Sequence, residues 1–291
     1  MQMKGPNYKI AEIGRTGIRQ LILKGEWHSS MADVMRIKNI SAMLVSGYAG
    51  WDGANLDFLR EVPFLERLSL IVLNRVNIDG IYFLRHLKDF SIGYNKKRID
   101  FVQFQSLERV SLSWSIGYES LFECKRLKDV AIARLPEDRL PFLAHLPNLE
   151  SLALSLCRFT DLQNLPELPK LVRLSLIVCN RLQRLKGLES FPNLRVLWIE
   201  QAKSLSDIDA VAFLRALRTL VLRDCPQVKN IKALVGLPDL ESVSFSATTD
   251  IRDGDLSPLE SLPSLTNADF KDRRHYSKKN IDFRKDLPIF L

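Results

Sequence analysis

Residues 149 to 176 read Leu149-Glu-Ser-Leu152-Ala-Leu154-Ser-Leu-Cys157-Arg-Phe159-Thr-Asp-Leu162-Gln-Asn-Leu165-Pro-Glu-Leu168-Pro-Lys-Leu171-Val-Arg-Leu174-Ser-Leu176. The pattern apolar-x-x-apolar-x-apolar occurs twice within this stretch, 22 residues apart. Each copy ends in an alternation that places two leucines on one face of a short strand. Such a strand cannot bury its apolar face alone, so it must stack on a neighbour of the same kind. Moving outward, the pattern returns in phase along the chain. Clear copies start at Leu65, Leu149, Leu171 and Leu217, weaker ones at Leu87, Leu107, Leu127, Leu194, Leu240 and Leu265, and degenerate ones at Ile18 and Ile40. These make twelve units spaced by 20 to 25 residues.

The repetition resembles the leucine-rich repeat family over residues 18 to 272. The second halves Phe159-Thr-Asp-Leu162-Gln-Asn-Leu165-Pro-Glu-Leu168 and Leu205-Ser-Asp-Ile208 with Phe213-Leu214 are similar to its short class of about 22 residues per turn. The resemblance implies an α/β solenoid, an arc with parallel strands on the concave face and short helical or 3₁₀ turns on the convex face. The chain then reads as a single leucine-rich repeat domain, residues 1–291. Residues 1–17 form an N-terminal cap, 18–272 the repeats, and 273–291, ending Leu287-Pro-Ile-Phe-Leu291, a C-terminal cap, because a terminal turn has one bare core face. Apolar residues at helical spacing from Met31 to Ile37, behind Ser29 and Ser30 as caps, predict a helix joining the first two units. Thr248 to Gly254 reads as a loop.

The 291 residues are 46% hydrophobic and 26% charged, which excludes disorder and collagen-like repeats. No stretch reaches the roughly 18 apolar residues of a spanning helix. The opening MQMKGPNYKIAEIG lacks an apolar segment behind its lysine and does not read as a secretory signal, so a cytoplasmic chain is expected. Four cysteines without CxxC spacing remove the usual zinc and thioredoxin-type readings. Cys157, Cys179 and Cys225 each lie eight residues after the first leucine of their unit, an interior turn position where the resemblance implies Asn or Cys. Other units hold Leu73, Asn95, Ser115, Leu135, Ala202 and Thr248 there, and Cys124, at no equivalent position, reads as outer-face packing. The four histidines are scattered, and no GxSxG, HExxH, phosphate-binding glycine loop or local Cys-His pair occurs. No catalytic, cofactor-binding or metal-ligating set is therefore expected.

A net charge of +8 raises nucleic acid, anionic lipid or an acidic protein as partner. Lys271-Asp-Arg273-Arg274-His275-Tyr276-Ser277-Lys278-Lys279 concentrates positive charge around one aromatic ring. A nucleic-acid role needs that patch joined to others along one face; the alternative is a solvated cap. Elsewhere Glu66-Arg67, Lys88-Asp89, Glu108-Arg109 and Lys128-Asp129 alternate in sign and predict cross-strand pairing.

Function on such a scaffold resides on the outward strand positions. Ser69, Ser91, Ser111, Ala131, Ala153 and Ser175 form a column of small residues, flanked by Gly93, Ser113, Ala133 and Ser155. The column either leaves room for a partner or relieves crowding on a curved sheet. Larger groups gather twice, as Trp198, Glu200, Arg223 and Asp224, and as Tyr94, Trp114 and Arg134. Both are candidate partner contacts, since Trp, Tyr and Arg dominate binding hot spots. Trp198 leads because its column points outward, whereas Trp114 has the alternative of turning inward. Ile71, Val72, Ile177 and Val178 mark a sticky strip unless local twist buries them. The expected function is a non-catalytic bacterial protein-interaction module whose concave face binds one protein partner. An immunity or inhibitor protein and an effector or adaptor fit equally; the alternative is nucleic-acid or anionic-surface binding through the basic C-terminal region.

Overall fold

The computed structural model describes residues 7–14 and 16–283, which leaves Leu287 to Leu291 of the expected C-terminal cap outside the described residues. The chain divides into two compact units, Met1–Val130 and Ala131–Leu291. In the first, β1 (Tyr8–Glu12) runs antiparallel to β2 (Arg19–Leu23). Four strands follow in parallel, β3 (Ala42–Ser46), β4 (Arg67–Ile71), β5 (Asp89–Ile92) and β6 (Arg109–Ser113). Their register aligns Leu21, Met43, Leu68, Phe90 and Val110 in one buried row and Leu23, Val45, Leu70, Ile92 and Leu112 in the next.

After β7 (Asp129–Ala133), which spans the division, the second unit holds β8 (Ser151–Ser155), β9 (Arg173–Ile177), β10 (Val196–Glu200), β11 (Thr219–Arg223), β12 (Ser242–Ser246) and β13 (Asn267–Phe270), all parallel. Its buried rows are Leu152, Leu174, Leu197, Leu220, Val243 and Ala268, and Leu154, Leu176, Ile199, Leu222, Phe245 and Phe270. Each sequence repeat thus contributes one strand, β2 to β13. Strand β1 arises in the segment expected to be only a cap, where Tyr8, Ile10 and Ala11 are half-buried and no strong alternation announces it.

Helix α1 (Ser30–Ile37) lies where the spacing predicts and buries Met31, Ala32 and Met35. Ser29 stands at its N-terminus, but its side chain makes no capping hydrogen bond. Most repeats return through 3₁₀ turns, such as Asp79–Phe83, Glu119–Glu123 and Asp209–Phe213. The segment from Phe159 to Leu168 forms no helical turn. Pro166 and Pro169 explain this, because each lacks an N–H and drives the residue before it toward extended backbone.

A left-handed residue closes each strand from β7 to β12. Arg134, Leu156, Val178, Gln201, Asp224 and Ala247 all have φ between 54 and 60°. The first five donate their N–H to the carbonyl ending the next strand, at 2.7 to 3.3 Å. The turn drives the following residue inward, so Leu135, Cys157, Cys179, Ala202 and Cys225 are buried. After Ala247 the inward residue is Thr249 rather than Thr248; its hydroxyl donates to the Leu222 carbonyl at 2.8 Å and accepts from the Cys225 N–H at 3.0 Å. In the first unit no positive φ immediately follows β4, β5 or β6, and the turn position changes character after β4 and β6 while Asn95 after β5 stays buried. Leu73 is 62% exposed instead of interior, and Ser115 is only half-buried while Trp114 before it is covered. Because a β-branched residue is costly in the left-handed region and Asn is tolerated there, Val178→Asn is expected to raise stability by about 1 kcal/mol in urea unfolding.

Candidate functional site

The central outward column of the second unit's strands carries mostly small side chains, with larger groups such as Arg173, Ile177, Glu200 and Arg223 in the columns beside it. Ala153, Ser175, Trp198, Val221, Ser244 and Asp269 stand in register across β8 to β13. Trp198 is the one large group in that row, beside Ser175 and Val221. Its indole N–H donates to Glu200 Oε2 at 3.1 Å. The other Glu200 oxygen faces Arg223 Nε at 3.8 Å, from the adjacent position on β11. Trp198, Glu200 and Arg223 therefore form one connected group, a half-buried indole hydrogen-bonded to a carboxylate that a cation flanks. Asp224 turns away from it, since its left-handed backbone aims the carboxylate at the next loop, where it accepts from the Thr248 N–H at 3.2 Å and hydroxyl at 2.9 Å.

The second predicted group does not form one surface. Tyr94 is 52% exposed and lines a recess of 660 Å³ in the first unit. Trp114 takes the inward alternative and leaves the exposed set: at 8% exposure it packs 5.5 Å from Phe122 and 6.4 Å from Tyr118. The extended strand end with no left-handed turn after it sends the indole into the core. Arg134 is exposed in the second unit, in a groove of 760 Å³ that also holds Arg158, Arg181 and Glu137. Of the apolar strip, Ile71 is exposed while Val72, Ile177 and Val178 are half-buried. Tyr48, on the 3₁₀ turn Gly47–Ala49, joins Tyr94 in its recess and carried no signal in the repeat pattern.

The predicted charge pairs form. Glu66 meets Lys88 at 2.7 Å, and Asp89 sits between Arg67 at 2.8 Å and Arg109 at 3.0 Å. Within the second unit part of the C-terminal basic stretch is engaged by carboxylates, while Lys271, Arg274 and Lys279 are exposed. Arg273 donates to the Thr249 carbonyl at 2.7 Å and faces Asp250 at 3.2 Å. His275 lies 3.3 Å from the same carboxylate, and Lys278 pairs with Glu260, which pushes the lysine ammonium above its usual range. Tyr276 and Phe283 pack on Phe270, closing the last strand. Lys285 lies outside the described residues.

All four cysteines are buried and unpaired by disulfides. Their thiols point at turn carbonyls: Cys157 to Ser155 at 3.4 Å, Cys225 to Arg223 at 3.4 Å, and Cys124 to Phe101 at 3.4 Å. Burial pushes Cys225 up to about 11 and Cys124 up to about 12, while the hydrogen bond to Cys179 together with burial pushes Cys157 up. The thiolate is the reactive form. The same Cys157 hydrogen bond lowers Cys179, but all four thiols are buried, so native protein at neutral pH is expected to resist a thiol-labelling disulfide reagent, with all four cysteines reacting once it is unfolded; rapid labelling of the folded chain would contradict these placements. Among the described residues no group of three or more His, Cys, Asp or Glu side chains gathers as metal ligands, and no helix is long and apolar enough to cross a membrane.

No protein-family model and no curated protein matches the chain. Solved structures do. Internalin C2 of Listeria monocytogenes matches at TM-score 0.50 and 23% identity, over 63% of this chain and 81% of that one. A leucine-rich repeat protein of Leptospira interrogans matches at TM-score 0.59 and 18% identity, over 79% and 60%. The Drosophila Toll–Spätzle complex matches at TM-score 0.60 and 12% identity, over 93% of this chain and 39% of that one. The in-phase leucines, the parallel strands they build and these likenesses agree: the chain has the leucine-rich repeat fold.

Proposed function

We propose that the protein is a non-catalytic module that binds one protein partner on the exposed strand face of its second unit. Trp198 supplies the apolar anchor, with Glu200 and Arg223 as its polar rim and Asp224 holding the adjoining loop. One observation carries this reading: a single indole, hydrogen-bonded to Glu200, is the one large side chain in an outward column otherwise made of Ala153, Ser175, Val221, Ser244 and Asp269. An anchor already held in place loses little side-chain freedom on binding. The Drosophila neighbour is a complex of Toll with Spätzle, so the same fold carries a partner in that protein. A reducing cytoplasm suits four buried thiols without disulfides. An immunity or inhibitor role and an effector or adaptor role both follow from this binding mode.

Nucleic-acid binding through the C-terminal basic stretch is the weaker reading, because Arg273, His275 and Lys278 are already engaged by Asp250 and Glu260. Affinity capture from the native lysate at two salt concentrations separates the two. Retention of one protein at both salts supports protein binding. Nucleic-acid-associated material that vanishes at the higher salt supports the electrostatic reading, since phosphate contacts weaken steeply with salt.

A further inference from the structure

We propose that the recess at the ends of β3, β4 and β5 in the first unit is a second docking site, for an acidic segment of a partner that carries one bulky apolar side chain. Four large apolar side chains stand open to solvent around it: Tyr48 at 94% exposure, Leu73 at 62%, Tyr94 at 52% and Ile71 at 44%. Their exposure has a local cause. Without the left-handed turn that closes β7 to β12, the alternation that buries Leu68 and Leu70 continues past β4 and carries Ile71 and Leu73 outward. Counting residues alone places Leu73 in the core; the backbone places it at the mouth of a recess of 660 Å³.

The recess is built before any partner arrives. Trp51, itself buried, forms part of its lining, and Gly53 lies so close that a Cβ there would stand 2.6 Å from the Trp51 ring. Gly50 closes the turn that presents Tyr48; its φ of 104° and a would-be Cβ 2.7 Å from the Lys24 carbonyl oxygen exclude other residues. The following loop is also set, because Asn74 accepts from the Lys96 N–H and Asn95 from the Lys97 N–H, each at 2.8 Å.

Charge identifies the occupant. Arg75 lines the recess, and beyond the buried Asn95 the exposed Lys96 and Lys97 follow Tyr94, Lys96 with its N–H bonded to the lining residue Asn74; Arg75 is exposed as well. Against them stand Asp52 in the lining and Asp100, whose oxygens accept from the Val102 N–H and the Gln103 amide. Arg75 at an apolar recess, with Lys96 and Lys97 on the loop beside it, matches an acidic chain with an apolar anchor. This charge opposes a second copy of this protein, which carries a net charge of +8.

The probe is a dye-labelled peptide in which glutamates flank a single tryptophan, titrated with the full chain and followed by fluorescence anisotropy. Saturable binding is expected, weakened about 10-fold or more both by Leu73→Ser with Tyr94→Ser and by replacing the peptide's tryptophan with alanine. Lys97→Glu with Arg75→Glu is expected to weaken it comparably. Trp198→Ala should leave it unchanged, so this site and the Trp198 face fail or stand separately. Thermal melting checks that the exposed substitutions leave the fold intact. The proposal is overturned by no saturable binding, by equal binding of the tryptophan and alanine peptides, or by wild-type affinity in the Leu73 and Tyr94 double variant. Concentration-dependent self-association abolished by that double variant would also overturn it, in favour of a second copy.

Discussion

Leu174→Ala is expected to lower the stability of the folded chain by about 2 to 5 kcal/mol, measured as a shift in the urea midpoint at constant slope. Leu174 is fully buried on β9, in register between Leu152 on β8 and Leu197 on β10. Truncation removes apolar contact with both neighbours and leaves a cavity that backbone hydrogen-bonded on two sides cannot close. In a stacked architecture each repeat is stabilised mainly by the interfaces above and below it, so one substitution weakens two of them at once. Leu152→Ala tests the same row from the preceding strand. A loss below about 1 kcal/mol at both positions would mean that the row is not close-packed.

The second large effect concerns binding and should leave folding untouched. Trp198→Ala and Arg223→Ala are each expected to cost roughly 2 kcal/mol or more of affinity for the captured partner, read by calorimetric titration. Arg223 is exposed and Trp198 half-buried on the outward side of the sheet, so neither substitution opens a core cavity. The two effects should not add, because Glu200 joins the residues: it accepts from the indole at 3.1 Å and faces the guanidinium at 3.8 Å. Trp198→Phe separates the ring from its N–H. It keeps apolar area but releases Glu200, and an intermediate loss is expected. Leu174→Ala is the counterpart, a variant that loses stability while its folded fraction binds normally.

Most of the fold is legible in the leucines. Strands β2 to β13 follow from a period that buried rows impose, since Leu152, Leu174 and Leu197 must meet face to face. Helix α1 is legible for the same reason, while β1 is not, because its half-buried residues repeat nothing. The left-handed ladder is hidden as well. Arg134, Leu156, Val178, Gln201 and Ala247 are not residue types that favour positive φ, and repeat geometry imposes it on them. After β4 and β6, where that turn is missing, counting from the first leucine misplaces Leu73 outward and leaves Trp114 covered, whereas after β5 Asn95 stays interior as counted.

The candidate site was legible in part. Outward position follows from alternation, so Trp198, Glu200 and Arg223 are readable from the pattern. Their mutual bonding is a matter of rotamers, and Asp224 departs from the group through its backbone angle. Tyr94 was readable as exposed, but its companion Tyr48 sits on a 3₁₀ turn outside the repeat pattern. The basic C-terminal stretch illustrates the opposite limit, since composition shows its charge and conceals the carboxylates of Asp250 and Glu260 that engage it.

Hydroxyl-radical footprinting of the full chain, with and without the captured partner, tests the proposed binding face most directly because it reads side-chain exposure at Trp198 itself. The partner is expected to reduce oxidation of Trp198 several-fold while Trp51 and Trp114, already buried, stay unlabelled in both states. Unchanged oxidation of Trp198 in a saturated complex would contradict the account and move the interface elsewhere on the protein.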